Sequence, residues 1–158
     1  MSTINVGIAD LNVCSGTDIL ATYALGSCIG ICLYDEKAKI AGLAHIMLPW
    51  SKDASKQDNM RRYADTGIWE LYNLMKQRGA SFPGTVAKIA GGAQMFQANS
   101  GVFNIGERNI QAVKIVLSKL NIPIVAEDTG LNYGRTVFFD AQTGTMQVKS
   151  AMNPTKNL

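Results

Sequence analysis

A single histidine and a cysteine that follows Gly26-Ser27 are the residues of this chain best suited to chemistry. Cys28 sits where that turn-prone dipeptide meets the apolar run Ile29-Gly30-Ile31-Cys32-Leu33-Tyr34, which reads as a strand. A second strand is expected from Ile40 to Leu48 and carries His45. Asp35-Glu36-Lys37-Ala38 between them is short and polar enough for a hairpin loop, which would set Tyr34 opposite Lys39. In that register Cys28 faces His45, with Cβ atoms about 4.5–5.5 Å apart. A thiol beside an imidazole is what a cysteine nucleophile needs, because the ring can take its proton. Backbone N–H groups around Gly26, Ser27 and Cys28 are the candidate oxyanion donors, since a tight turn can aim several at one point. The base also needs a third group to orient it, and no Asp or Glu near the hairpin is well placed. A hydroxyl or a backbone carbonyl six residues upstream of Cys28, at Thr22, could serve.

Each of these residues also has an ordinary structural reading. Cysteine is among the most buried residue types, a strand histidine can be satisfied by backbone, and threonine suits an extended segment. The joint position of the only histidine and Cys28 favours the chemical reading. Cys28, Cys32 and His45 share a face and could suggest zinc, but the spacing is not CxxC and no fourth ligand is visible. No metal or organic cofactor is expected. Gly91-Gly92 lacks the lysine pattern and the fingerprint that accompany a phosphate cradle.

The elements that must position these residues can be read in order. Asn5–Asp10 alternates weakly and is expected as a first strand, Cys14–Asp18 as a turn, and Ile19–Tyr23 as an extended lead into the cysteine turn. Pro49 ends the histidine strand, and Trp50–Met60 reads as a loop beside the site. Arg61–Arg78 carries a helical stripe closed by Gly79. Thr85–Ala90 is expected as a buried strand running into glycines that let another chain approach closely. Asn104 is the expected N-cap of a second amphipathic helix that includes Ile110, Val113, Leu117 and Leu120. A strand over Ile122–Ala126, a glycine-rich loop over Asp128–Gly134, and a hairpin of Thr136–Asp140 with Thr145–Lys149 follow. Asn153–Leu158 reads as a frayed tail.

These elements define an α+β protein: a β-sandwich or mixed antiparallel sheets flanked by two main helices, in one domain over residues 1–158. A hydrophobic content of 47% with 17% charged residues suits a globular chain. The net charge of +3 and the scattered basic residues argue against nucleic acid as a partner. No apolar run approaches the roughly 20 residues of a membrane span, so no membrane insertion is expected. Three cysteines and no leader-like N-terminus point to a reduced, cytoplasmic protein.

The motifs taken together resemble the CheD family of chemoreceptor glutamine deamidases. They are Thr22 to Cys28 with its Leu25-Gly26-Ser27-Cys28 ending, Ala44-His45-Ile46-Met47-Leu48-Pro49 and Tyr63-Ala64-Asp65. Lys88 to Phe96, Asn104 to Asn109, and Asp128-Thr129-Gly130 on to Gly134-Arg135 continue the series in order. Two positions depart from the pattern, Ala24 and Leu131, where glycine is usual. The resemblance implies a cysteine hydrolase that converts specific glutamines on cytoplasmic chemoreceptor helices to glutamate, with glutamyl methyl ester hydrolysis as a second reaction. It implies a catalytic group of Cys28, His45 and Thr22, and a β-sandwich flanked by helices, similar to the catalytic domain of cytotoxic necrotizing factor toxins. It also implies a regulatory partner, the phosphatase CheC. The alternative is a non-catalytic adaptor that binds chemoreceptors or CheC and acts by occupancy.

Overall fold

A computed structural model describes residues 1–94 and 104–158; Met95 and Phe96 of the quoted motif lie outside them. The strands are β1 (Thr3–Asn5), β2 (Asp10–Ser15), β3 (Ile19–Leu25), β4 (Ile29–Asp35) and β5 (Ile40–Ile46). Helix α1 (Ala64–Gln77), β6 (Thr85–Gly91), α2 (Ile105–Lys119) and β7 (Ile124–Thr129) follow. The chain then adds β8 (Arg135–Asp140), β9 (Met146–Lys149) and β10 (Lys156–Asn157). One five-stranded sheet has the order β1-β3-β8-β9-β10, the other β2-β5-β4-β6-β7. Both are mixed, since β1 runs parallel to β3 and β6 parallel to β7. The expected α+β sandwich with two helices is what the chain forms.

The β2-β5-β4-β6-β7 sheet is central, and its alternation shows why. Every residue of β4 and β5 is buried, as a strand covered on both faces requires. Ile29, Ile31 and Leu33 of β4, with Ala44 and Ile46 of β5, pack against Ile68, Leu71 and Met75 of α1 and Val113 and Leu117 of α2. Cys32, Ala41 and Leu43 point the other way, onto Leu20, Val137 and Phe139 of the second sheet. Each fully buried Leu, Ile or Phe contributes roughly 1.5–3 kcal/mol, so the two cores fix the order helices, central sheet, outer sheet. The outer sheet is covered on one face only, and β8 alternates buried and half-buried residues accordingly.

The register of the β4–β5 hairpin differs from expectation. Tyr34 pairs with Ala41, not Lys39, and Asp35 belongs to the strand opposite Ile40. Asp35 is buried because its carboxylate accepts hydrogen bonds from the N–H groups of Lys37, Ala38 and Ser81. The turn therefore falls one residue later, closed by Lys39 at a φ of 54°. Cys28 does not face His45; Gly30 does. A two-residue shift keeps every side chain on its expected face, so Cys28 and His45 still point the same way.

Three other expectations are corrected. Asn5–Asp10 is not a strand: the chain leaves β1, turns through Ala9 at a φ of 57°, and enters the other sheet as β2. The strand expected at Ile122 begins at Ile124 and runs on through Asp128 and Thr129, residues that the sequence assigns to the glycine-rich loop. The C-terminal tail is not frayed, because β10 adds to the edge of β9 and Leu158 exchanges backbone hydrogen bonds with Met146. Asn104 caps α2 as expected, its side chain accepting from the Glu107 N–H.

Candidate functional site

The site lies between the two sheets, at the end where the β4–β5 ladder stops. His45 is fully buried on β5, and Thr22 is fully buried on β3 of the outer sheet. Their side chains meet across the gap, with Thr22 Oγ1 2.7 Å from His45 Nδ1. The Thr22 hydroxyl also donates to the Val6 carbonyl at 2.7 Å. With its proton used there, the oxygen accepts from Nδ1–H. This assigns the tautomer: Nδ1 carries the hydrogen and Nε2 presents a lone pair. Val6 thus completes a relay of backbone carbonyl, hydroxyl and imidazole. Its carbonyl leaves no sequence signal.

Nε2 is buried and has no hydrogen-bond partner among the described residues. Cys28 is a diagonal neighbour of the ring, one step beyond the Gly30–His45 pair and on the same face. Such neighbours stand about 7–8 Å apart along the backbone, a gap that a ring side chain can span. Gly30, the residue between them on β4, has no side chain to fill it. A Cβ there would press on Leu25 Cδ1 at 3.2 Å and sit in ordinary contact with Thr22 Cγ2 at 3.6 Å. The resting structure makes no thiol–imidazole hydrogen bond, and such bonds often tighten only when substrate is present.

Burial sets the protonation states. It pushes the His45 imidazole down from 6.5 to about 4, so the ring is a neutral base at physiological pH. It also raises the Cys28 thiol, while the residue's own backbone N–H pulls the other way. Both groups rest neutral at physiological pH. The other cysteines are poorer candidates. Cys32 is fully buried in the inter-sheet core with its thiol raised, and Cys14 is raised to about 11 by burial and by Asp18 and Asp140. Among the described residues no three His, Cys, Asp or Glu side chains group as metal ligands.

The cysteine turn is held by backbone contacts. The Cys28 carbonyl accepts from Gly92 N–H at 2.9 Å, and the Gly26 carbonyl from Ala93 N–H at 2.8 Å. A Cβ on Gly91 would collide with the Cys28 carbonyl oxygen, and Gly91 has a φ of 114°. This is the close approach that the paired glycines suggested. Gly26 N–H is committed to the Ala24 carbonyl at 3.1 Å. Of the three expected oxyanion donors Gly26 is therefore withdrawn, which leaves Ser27 and Cys28, the latter with its N–H beside its own sulfur.

Two further residues escaped sequence reasoning in function, though both stood inside quoted motifs. Arg135 is buried and donates to Asp128 at 3.1 Å and to the Gly130 carbonyl at 3.0 Å, fixing the loop behind Gly91. Asn109 is fully buried on α2 and donates to the carbonyls of Ser27 and Met47. Beside it, Pro49, Trp50, Lys52 and Asp53 face Ile105 and Arg108 of α2 across a pocket of about 270 Å³. The loop after Pro49 thus borders a depression whose lining begins at Leu48, one residue past the Met47 that Asn109 ties to Ser27.

Chemically, this is a half-exposed thiol in a turn, on the same face as a buried imidazole whose Nε2 has no partner among the described residues and whose other nitrogen is fixed by a hydroxyl. The family model described as CheD chemotactic sensory transduction matches residues 47–150. A probable chemoreceptor glutamine deamidase CheD of Lachnoclostridium phytofermentans is 47% identical over 157 residues, covering 98% of each chain. One of Caldanaerobacter subterraneus subsp. tengcongensis is 53% identical, over 93% of this chain and 92% of that one. One of Oceanobacillus iheyensis is 43% identical, over 94% and 91%. The first of these matches spans Thr22, Cys28 and His45, which precede the family-model match. This chain belongs to the CheD family.

Proposed function

We propose that the chain is a chemoreceptor glutamine deamidase of bacterial chemotaxis, with Cys28 as nucleophile, His45 as general base and acid, and Thr22 as the group that orients the base. The observation that carries this is the Val6–Thr22–His45 relay, which leaves Nε2 as an unengaged buried acceptor on the face shared with Cys28. The relatives' names supply the substrate class.

The thiol proton passes to Nε2 as the sulfur attacks the side-chain amide carbon of a glutamine. The oxygen of the tetrahedral intermediate takes hydrogen bonds from the Ser27 and Cys28 N–H groups, with Gly26 shaping the turn. Imidazolium returns the proton to the amide nitrogen, ammonia leaves, and a thioester remains. Water then gives a proton to Nε2 and attacks the thioester, releasing glutamate and the free thiol. A glutamyl methyl ester follows the same route with methanol as the leaving group.

Residues 1–158 act as one catalytic unit in this reading, which the two cores sharing one central sheet support. Among the described residues no helix is long and apolar enough to cross a membrane. The substrates are cytoplasmic receptor helices, which places the enzyme in the cytoplasm, with CheC as a partner competing for the same surface.

The test is mass spectrometry of receptor fragments co-expressed with the protein. Wild type should convert glutamine to glutamate, and Cys28→Ala should not, while Cys14→Ala and Cys32→Ala keep most of the activity. Thr22→Ala should lose less than His45→Ala, because it orients the base and makes no bond to substrate. Turnover by purified Cys28→Ala would overturn the mechanism. Receptor binding with no mass change under any condition would indicate an adaptor acting by occupancy.

A further inference from the structure

The last rung of the β4–β5 ladder is the Ile29–Ile46 pair. Beyond it the two chains part, one carrying Cys28 and the other Met47. A parting ladder leaves carbonyls without their cross-strand donors, and buried carbonyls need partners. Here Ser27 and Met47 are both served by one side chain: Asn109 Nδ2 donates to each at 2.9 Å. The orientation of this amide is forced, since only its NH2 end can donate to two carbonyls and the reverse orientation would set three oxygens together. Oδ1 is left buried with no partner among the described residues, an arrangement that costs stability. A residue serving the core alone would be apolar here, as its helix neighbours Ile110, Ala112 and Val113 are.

The helix that carries Asn109 is itself tied to the nucleophile turn. Gly106 of α2 lies against the Gly92 and Ala93 carbonyls so closely that a Cβ would collide with both. The N–H groups of those two residues hold the carbonyls of Cys28 and Gly26. The first turns of α2, the glycine segment after β6 and the cysteine turn thus form one stack. Asn109 extends that stack to the histidine strand.

We propose that Asn109 is a positioning residue for this reaction: it clamps the backbone one residue before Cys28 to the backbone two residues after His45, and so sets the reach between thiol and imidazole. The proposal rests on the Cys28–His45 reading above. Loss of the clamp lets the ladder end open, which lengthens proton transfer and leaves the substrate pocket in place.

The experiment compares Asn109→Ala and Asn109→Ser with Leu117→Ala, which lowers stability from the same helix without touching the turn. Each variant is assayed where circular dichroism shows it folded. The Asn109 variants should lose kcat by on the order of ten- to a hundred-fold with KM nearly unchanged, as a small misplacement of reacting groups does. Serine, which keeps one donor, should lose less than alanine. Leu117→Ala should keep kcat. A second measurement needs no receptor: at neutral pH, where thiol and ring are both neutral and Nε2 takes the proton as sulfur attacks, the rate of Cys28 alkylation by iodoacetamide should fall in Asn109→Ala and stay unchanged in Leu117→Ala. Asn109 variants with wild-type kcat, or with an unchanged alkylation rate, would overturn the proposal. If wild type itself fails to deamidate receptor fragments, the functional reading falls, and the alkylation rate still decides the role of Asn109.

Discussion

His45 titrates out of its ordinary range because its ring is buried, with no carboxylate hydrogen-bonded to it among the described residues. Asp10, its cross-strand partner on β2, is turned away to Arg61 at 2.6 Å. The unfolded chain takes up the imidazole proton near 6.5 and the folded chain only near 4. Between those values the unfolded state binds more protons, so stability rises with pH. This contribution is complete above 6.5 and is lost as pH falls toward 4, a change of about 3 kcal/mol. Urea unfolding of wild type should show this loss, and His45→Gln should show less of it across the same window. Equal slopes in the two proteins would mean the ring is not held neutral by burial. The same burial keeps Nε2 an open base through mildly acidic pH. Activity should hold through that range and fall only on the alkaline side, as the raised Cys28 thiol ionises and the proton destined for the leaving nitrogen is lost.

At the scale of elements, the two departures from the family pattern share one physical explanation. Ala24 has a φ of 60° and Leu131 a φ of 59°, both in the left-handed region where a Cβ costs roughly 1–2 kcal/mol. Ala24 sits in the irregular step of β3 between Thr22 and Leu25, which sends the chain from Thr22 into the cysteine turn. Leu131 lies in the loop after β7, where its carbonyl accepts from Gln94 N–H. Ala24→Gly and Leu131→Gly should each raise stability by about 0.5–1 kcal/mol, because glycine relieves the strain but has more entropy to lose on folding. Thermal unfolding checks this, and a fall in Tm for both would contradict it. Gly91→Ala is the opposite case: its methyl would strike the Cys28 carbonyl, and stability and turnover should fall together.

Over the whole molecule, the arrangement of layers decides what substrate can enter. The imidazole is closed off between two sheets, the half-buried thiol lies at their end, and the pocket between Trp50 and Arg108 starts at Leu48, one residue past the Met47 that Asn109 ties to Ser27. A folded receptor helix presents its glutamine side chain outward, and a depression along α2 can receive it while the substrate backbone stays paired. Activity should therefore be found on helical receptor fragments, and little or none on the same glutamine in a short unstructured peptide. Ammonia release from the two, compared at equal concentration, measures this; equal rates would point to an unselective amidase.

Much of this protein was legible in its residues. The apolar runs of β4 and β5, the stripes of α1 and α2, and the Asn104 cap are local patterns, and local patterns survive into the fold because burial and backbone pairing act on neighbours first. Cys28 and His45 stood out by type and by position. Their shared face also held, since a register error of two residues leaves a strand's parity intact. The register itself did not hold, because it depended on Asp35 being drawn into the strand by the N–H of Ser81, on a distant loop. Thr22 could be suspected as the orienting group, but its hydrogen bond to His45 depends on a contact between sheets and on the Val6 carbonyl that takes its proton. Asn109 bridges two carbonyls from different strands, and β10 is held by backbone pairing at a sheet edge. Backbone groups are the same at every residue, so such contacts leave no mark in the sequence, and only the packed chain determines which carbonyl meets which donor.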